Sequence, residues 1–134
     1  MKLKIRTIED MLYDGAEAEV YKGIIRKTEI GRIGMIANVD SGYFKIEYFR
    51  VKQAERGKGI GRRLLLSMLE EVKKVGGTQI IVYPNSEPYE NDKYIEPKDL
   101  YVIYECLGFE LENKKADRNR PNNKMILNIS KVSV

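Results

Sequence analysis

The chain has 134 residues, 43% hydrophobic and 33% charged, with a net charge of +4, which fits a single domain over 1–134 with apolar material enough for a core. It has no histidine and one cysteine, Cys106, so Ser-His-Asp and Cys-His chemistry are excluded and no metal site is expected. No apolar run could span a membrane, "MKLKIRTIED" lacks a secretion signal, and a lone cysteine cannot pair within the chain, so a cytoplasmic location is expected.

Residues 2–8 alternate and read as a strand, and "IEDMLYDGA" after them reads as a brief helical turn or loop. Residues 17–27 and 30–39 read as two strands of a hairpin, and "DSG" at 40–42 marks a tight turn. "YFKIEYFRV" at 43–51 is aromatic and β-branched, as a strand requires. The first half is therefore expected to be an antiparallel meander.

The period then changes. Ile60, Leu64, Leu65, Met68, Leu69, Val72 and Val75 mark one face of a helix over 60–75, stopped by Gly76-Gly77. "TQIIVYP" at 78–84 reads as a buried, parallel strand, and 84–96 as a long polar loop. Pro97 opens a second helix that ends at Leu107-Gly108, with Leu100, Ile103, Tyr104 and Leu107 on one stripe. "FELEN" and "KMILNIS" read as two last strands joined by a basic loop.

Charge is concentrated at one turn. Residues 50–63 hold six basic side chains (Arg50, Lys52, Arg56, Lys58, Arg62 and Arg63) against Glu55 alone. Within them, "RGKGIG" at 56–61 lies between a strand and a helix. Glycines let successive N–H groups converge on an anion, and the helix start adds its partial positive charge. The expected ligand is a phosphate or pyrophosphate. The string lacks the Gly-x-x-x-x-Gly-Lys-Ser/Thr of a Walker loop, and its Gly57, Gly59, Gly61 spacing after a meander does not fit a dinucleotide turn.

Arg56-x-x-Gly59-x-Gly61 resembles the acyl-CoA signature of the GNAT superfamily of N-acetyltransferases, and "YECLGF" at 104–109 resembles the family's Tyr-x-x-x-Gly-Phe ending of the next helix. The resemblance implies an α+β, three-layer GNAT-like fold, whose mixed, mostly antiparallel sheet splays around an acyl-CoA slot and is flanked by helices. It implies acetyl-CoA as cosubstrate and a small-molecule or peptide primary amine as acceptor, attacked directly. By the same resemblance Phe49, Arg50 and Val51 lie beside the pantetheine arm through backbone groups, with the Val51 N–H as oxyanion donor. Arg56, Gly57, Lys58, Gly59, Ile60, Gly61 and Arg62 cradle the pyrophosphate, and Tyr104 is the acid that meets the departing thiolate; a core role for Tyr104 on its helical stripe is the alternative.

The chain departs from the family pattern in three places. Lys45 stands where many members have a glutamate, so Glu47 is the candidate base, with an exposed cross-strand charge as its other reading. No Asn stands in register before the second helix, because Asn85 and Asn91 lie too far upstream. The N-terminal region is short, which leaves the acceptor site open, completed by a second subunit in a homodimer, or served by the acidic 84–96 loop. A non-catalytic acyl-CoA-binding regulator on the same fold is the alternative function. Nucleic acid is disfavoured, because it would leave the glycine spacing and the Tyr104–Phe109 box unexplained.

Overall fold

The computed structural model describes residues 6–12, 22–38 and 41–131. Seven strands form one sheet in the order β1-β2-β3-β4-β5-β7-β6, with β1 Arg6–Leu12, β2 Lys22–Lys27, β3 Gly31–Asn38, β4 Tyr43–Val51, β5 Gln79–Val82, β6 Glu110–Leu111 and β7 Met125–Asn128. Every neighbouring pair is antiparallel except β4 and β5. Two helices, α1 Ile60–Lys74 and α2 Pro97–Cys106, flank this mixed sheet, as expected for an α+β GNAT-like fold.

The meander forms where the alternation placed it. Thr28 closes the β2–β3 turn: its N–H donates to the Gly31 carbonyl at 2.7 Å, and its hydroxyl accepts from the Ile30 N–H at 3.1 Å. The first strand departs from expectation. Strand β1 runs to Leu12, through residues read as a helical turn, and pairs with β2. Its register shifts between Ile8 and Met11, and an irregularity there erases the period of two on which a strand reading depends. The expected strand residues 2–5 and 17–21 lie outside the described residues.

Helix α1 buries Ile60, Leu64, Leu65, Met68, Leu69 and Val72 against β2, β3 and β4. Val75, read as part of that face, is 48% exposed, because the helix has already ended there and Gly76, at φ 79°, turns the chain away. Arg26 on β2 is buried and meets Glu71 of α1 at 2.8 Å, so the charge that β2 carries under the helix is paired. In α2 the buried side chains are Pro97, Leu100, Tyr101 and Tyr104, whereas Ile103 is 43% exposed. The expected stripe therefore rotates by one position, and Tyr101 takes the interior place of Ile103. The Tyr101 hydroxyl donates to the Arg120 carbonyl at 2.5 Å and accepts from the Asn123 N–H at 3.0 Å, pinning the basic loop to α2. No helix among the described residues is long and apolar enough to cross a membrane.

Candidate active site

Strands β4 and β5 pair in parallel at only two positions, Lys45 with Ile81 and Ile46 with Val82. Beyond them β4 continues to Val51 while β5 ends at Val82, just before Pro84, which has no N–H to offer a ladder. The β3–β4 register also shifts here: Gly34 faces Tyr48 and Met35 faces Ile46, so Glu47 is an extra, bulged residue. A bulge bends its strand and shifts the alternation of its faces. Phe44 and Ile46 point into the core before it, and Phe49 and Val51 pack against the core after it. The result is a wedge between β4 and β5.

The free edge of β4 carries the polar groups of that wedge. The Lys52 N–H donates to the Ile30 carbonyl at 2.8 Å, which fixes the phase of the ladder. By alternation, Arg50 and Tyr48 direct their backbone polar groups at β3, whereas Phe49 and Val51 direct theirs into the wedge. The Arg56 Nε confirms the phase at Val51 by donating to its carbonyl at 3.2 Å.

The glycine turn closes one end of the wedge. Gly57 and Gly59 have φ of 82° and 78°, a region that disfavours any side chain, and a Cβ on either would meet nothing within 4 Å. Gly59 caps α1, its carbonyl accepting from the Arg63 N–H at 3.1 Å, and no side chain caps the remaining amides of the first turn. Arg56, Gly57, Gly59, Ile60, Gly61 and Arg62 line a cavity of about 380 Å³ with Phe49, Arg50 and Val51. Its far wall is Leu100, Val102, Ile103 and Leu107, which explains why two apolar residues of α2 are exposed: they face this cavity rather than the core. Lys58 is not among its lining residues. It points out to Glu55 at 2.8 Å. Arg63 is likewise exposed and away from the lining.

A second cavity of about 330 Å³ lies on the other side, lined by Lys45, Glu47, Tyr48, Tyr83 and Asn122 among others. The two share Phe49, Asn85, Glu87 and Tyr104. Tyr104 thus sits at their junction, held edge-on by Phe49 at 6.1 Å and Phe109 at 5.3 Å between ring centroids. Its burial, and then the negative charge of Glu87, push its phenol well above the ordinary tyrosine range. Glu47 sits 3.3 Å from Lys45, so its carboxylate is paired on the cavity wall. Glu87 and Asn85 were not singled out from sequence as site residues. Both belong to the 84–96 loop, and nothing local distinguishes Glu87 from the loop's other acids.

The wedge fits a CoA thioester. A glycine cradle with uncapped amides suits a pyrophosphate, an apolar-walled cavity suits a pantetheine arm, and the outward N–H of Val51 suits a developing oxyanion. The profile of the acetyltransferase (GNAT) family matches residues 10–93, more than half of the chain. The chain belongs to that family. A search of curated protein sequences found no match. Solved structures share the fold: an IAA acetyltransferase from Bacillus cereus (14% identity, covering 95% of this chain and 99% of that one, TM-score 0.59). A GNAT family N-acetyltransferase from Escherichia coli in complex with CoA is similar too (13%, 95% and 81%, TM-score 0.56). So is an aminoglycoside 6'-N-acetyltransferase complexed with coenzyme A (17%, 85% and 78%, TM-score 0.56).

Proposed function

We propose that the protein is an N-acetyltransferase that passes the acetyl group of acetyl-CoA directly to a primary amine. Family membership and CoA-bound relatives support acyl transfer from CoA. The observation that carries the reading is the meeting of the two cavities at Tyr104, one suited to the cosubstrate and the other open to an acceptor.

Acetyl-CoA supplies an acyl group activated as a thioester. The Val51 N–H donates to the carbonyl oxygen as negative charge grows on it. An acceptor arriving as an ammonium loses one proton before attack and a second as the amide forms. Glu87 and Glu47, both on the acceptor-side cavity, are the groups that receive them, directly or through water. Tyr104 faces the departing sulfur. Because its phenol is pushed up, away from a thiol's ordinary value of about 8.5, complete proton transfer from it is uphill. Its contribution is a hydrogen bond that stabilises the thiolate, in place of the full general-acid role that the family resemblance implies.

The reading is tested by mixing the protein with acetyl-CoA and a panel of amines (amino acids, polyamines, aminoglycosides, peptides) and following released thiol. Transfer to at least one class is the expected result. CoA binding with no transfer across the panel would favour the non-catalytic alternative instead.

A further inference from the structure

The sheet face opposite α1 carries a cluster of cations of which only Arg50 also lines the cosubstrate cavity. Arg32 and Arg50 stand directly opposite each other on β3 and β4, an arrangement of like charges that opposes pairing. Between them lies Tyr48, whose ring is 5.8 Å from the Arg32 guanidinium and 5.4 Å from that of Arg50. Tyr48 can lie there because residue 34 is glycine, where a Cβ would overlap its ring. Tyr89, from the 84–96 loop, lies 5.9 Å from Arg32, 5.4 Å from Arg50 and 5.8 Å from the Lys52 ammonium.

Three cations therefore converge on two rings. No carboxylate among the described residues forms an ion pair with any of them. The nearest acid of the loop by bonding, Asp92, accepts from the Gln53 N–H at 2.9 Å, while the Gln53 side chain accepts from the Lys93 N–H at 2.7 Å. Those two bonds hold the loop, and with it Tyr89, onto the turn that follows β4. The Nε of Arg50 is buried and has no hydrogen-bond partner. A buried guanidinium N–H left unpaired is costly, and the partner a guanidinium pairs with best is an oxyanion, through two parallel bonds. Tyr48 also lines the acceptor-side cavity, so the cluster is one side chain away from the place where an amine would bind.

We propose that Arg32, Arg50 and Lys52 form a subsite for an oxyanion on the acceptor, so that the preferred acceptor is an amine that also carries a carboxylate or a phosphate. This rests on the acetyltransferase reading for the word acceptor, but the anion site itself can be tested without turnover. The Nε–H resonance of Arg50 in the full chain is followed by NMR while acetate, and separately inorganic phosphate, is titrated. A saturable downfield shift with one or both anions is expected, and which anion binds tighter names the source. In Arg32→Gln the same titration should need at least ten times more anion. No saturable shift with either anion, or an equal midpoint in Arg32→Gln, overturns the proposal whether or not the protein transfers acetyl groups. A turnover arm then compares an amino acid with its decarboxylated amine, and phosphoethanolamine with ethanolamine. The anionic member should be favoured at least tenfold in kcat/KM, and Arg32→Gln should remove that preference without changing the KM for acetyl-CoA. Equal use of both members of each pair would also overturn it.

Discussion

On one side of Tyr104 the wedge is lined mainly by a single continuous stretch, residues 49–62, and by α2. On the other side it is lined by β4, β5, the 84–96 loop and Asn122, residues brought together from distant parts of the chain. The first surface joins the glycine turn and aliphatic carbon to Arg56 and Arg62. The second holds Lys45, Glu47, Tyr48 and Tyr83, and the two share Glu87. In the proposed reading, backbone amides and a glycine turn hold a group that never changes, a pyrophosphate on a thioester arm. Side chains from separate elements can be exchanged one at a time, so this is the side on which an acceptor would be chosen. The two sides are predicted to respond differently to mutation.

The largest effect is expected at their junction. Tyr104→Phe keeps the ring between Phe49 and Phe109 and should preserve acetyl-CoA affinity, yet lower kcat by about 10²-fold through loss of the hydroxyl. The pH profile of the unmutated protein gives a second reading of the same residue. Burial and Glu87 raise the Tyr104 pKa, so the phenol stays protonated beyond the point near pH 10 where an ordinary tyrosine ionises. The kcat/KM profile should climb as the acceptor amine deprotonates and show no descending limb below about pH 10. A limb near pH 8–9 that vanishes in Tyr104→Phe would remove the proposed state of this group.

Smaller effects belong to the two carboxylates. Glu87→Gln and Glu47→Gln should each lower kcat/KM for the amine, by about tenfold for the carboxylate that takes the proton, and Glu47→Gln, away from the cosubstrate cavity, should leave acetyl-CoA binding intact. Glu87 is expected to matter more, because Glu47 is held by Lys45 whereas the charge of Glu87 is felt at the Tyr104 hydroxyl. Steady-state kinetics of the two variants, with amine and acetyl-CoA varied in turn, decides between them. Equal losses in acetyl-CoA affinity would mean that the two sides are not separate.

The same contrast explains what could be read from the sequence. The glycine turn, α1 and β4 are written in short-range patterns: positive-φ glycines, a helical apolar face, and an aromatic and β-branched strand. The family's two motifs lie in that same part of the chain and at Tyr104. The acceptor side has no such pattern. A bulge at Glu47 leaves no compositional mark, yet it turns Tyr48 and Arg50 to the face opposite α1 and so sets them against Arg32. Glu87 and Asn85 are ordinary loop residues until the loop docks through Asp92 and Gln53. Tyr101, absent from the expected stripe, proves to be a pin for the basic loop. That loop's Arg118, Arg120 and Lys124 face Glu105, Asp117 and Glu112.

The measurement closest to the central claim is calorimetric titration of acetyl-CoA into the protein and into Gly59→Glu. A glutamate at a φ of 78° strains the turn and sets a negative charge at the proposed pyrophosphate cradle. The account predicts saturable one-to-one binding that weakens at least a hundredfold in the variant, with the melting temperature of the variant showing that it remains folded. Absence of binding to the unmutated protein at millimolar acetyl-CoA, or equal binding by a folded Gly59→Glu variant, would contradict it.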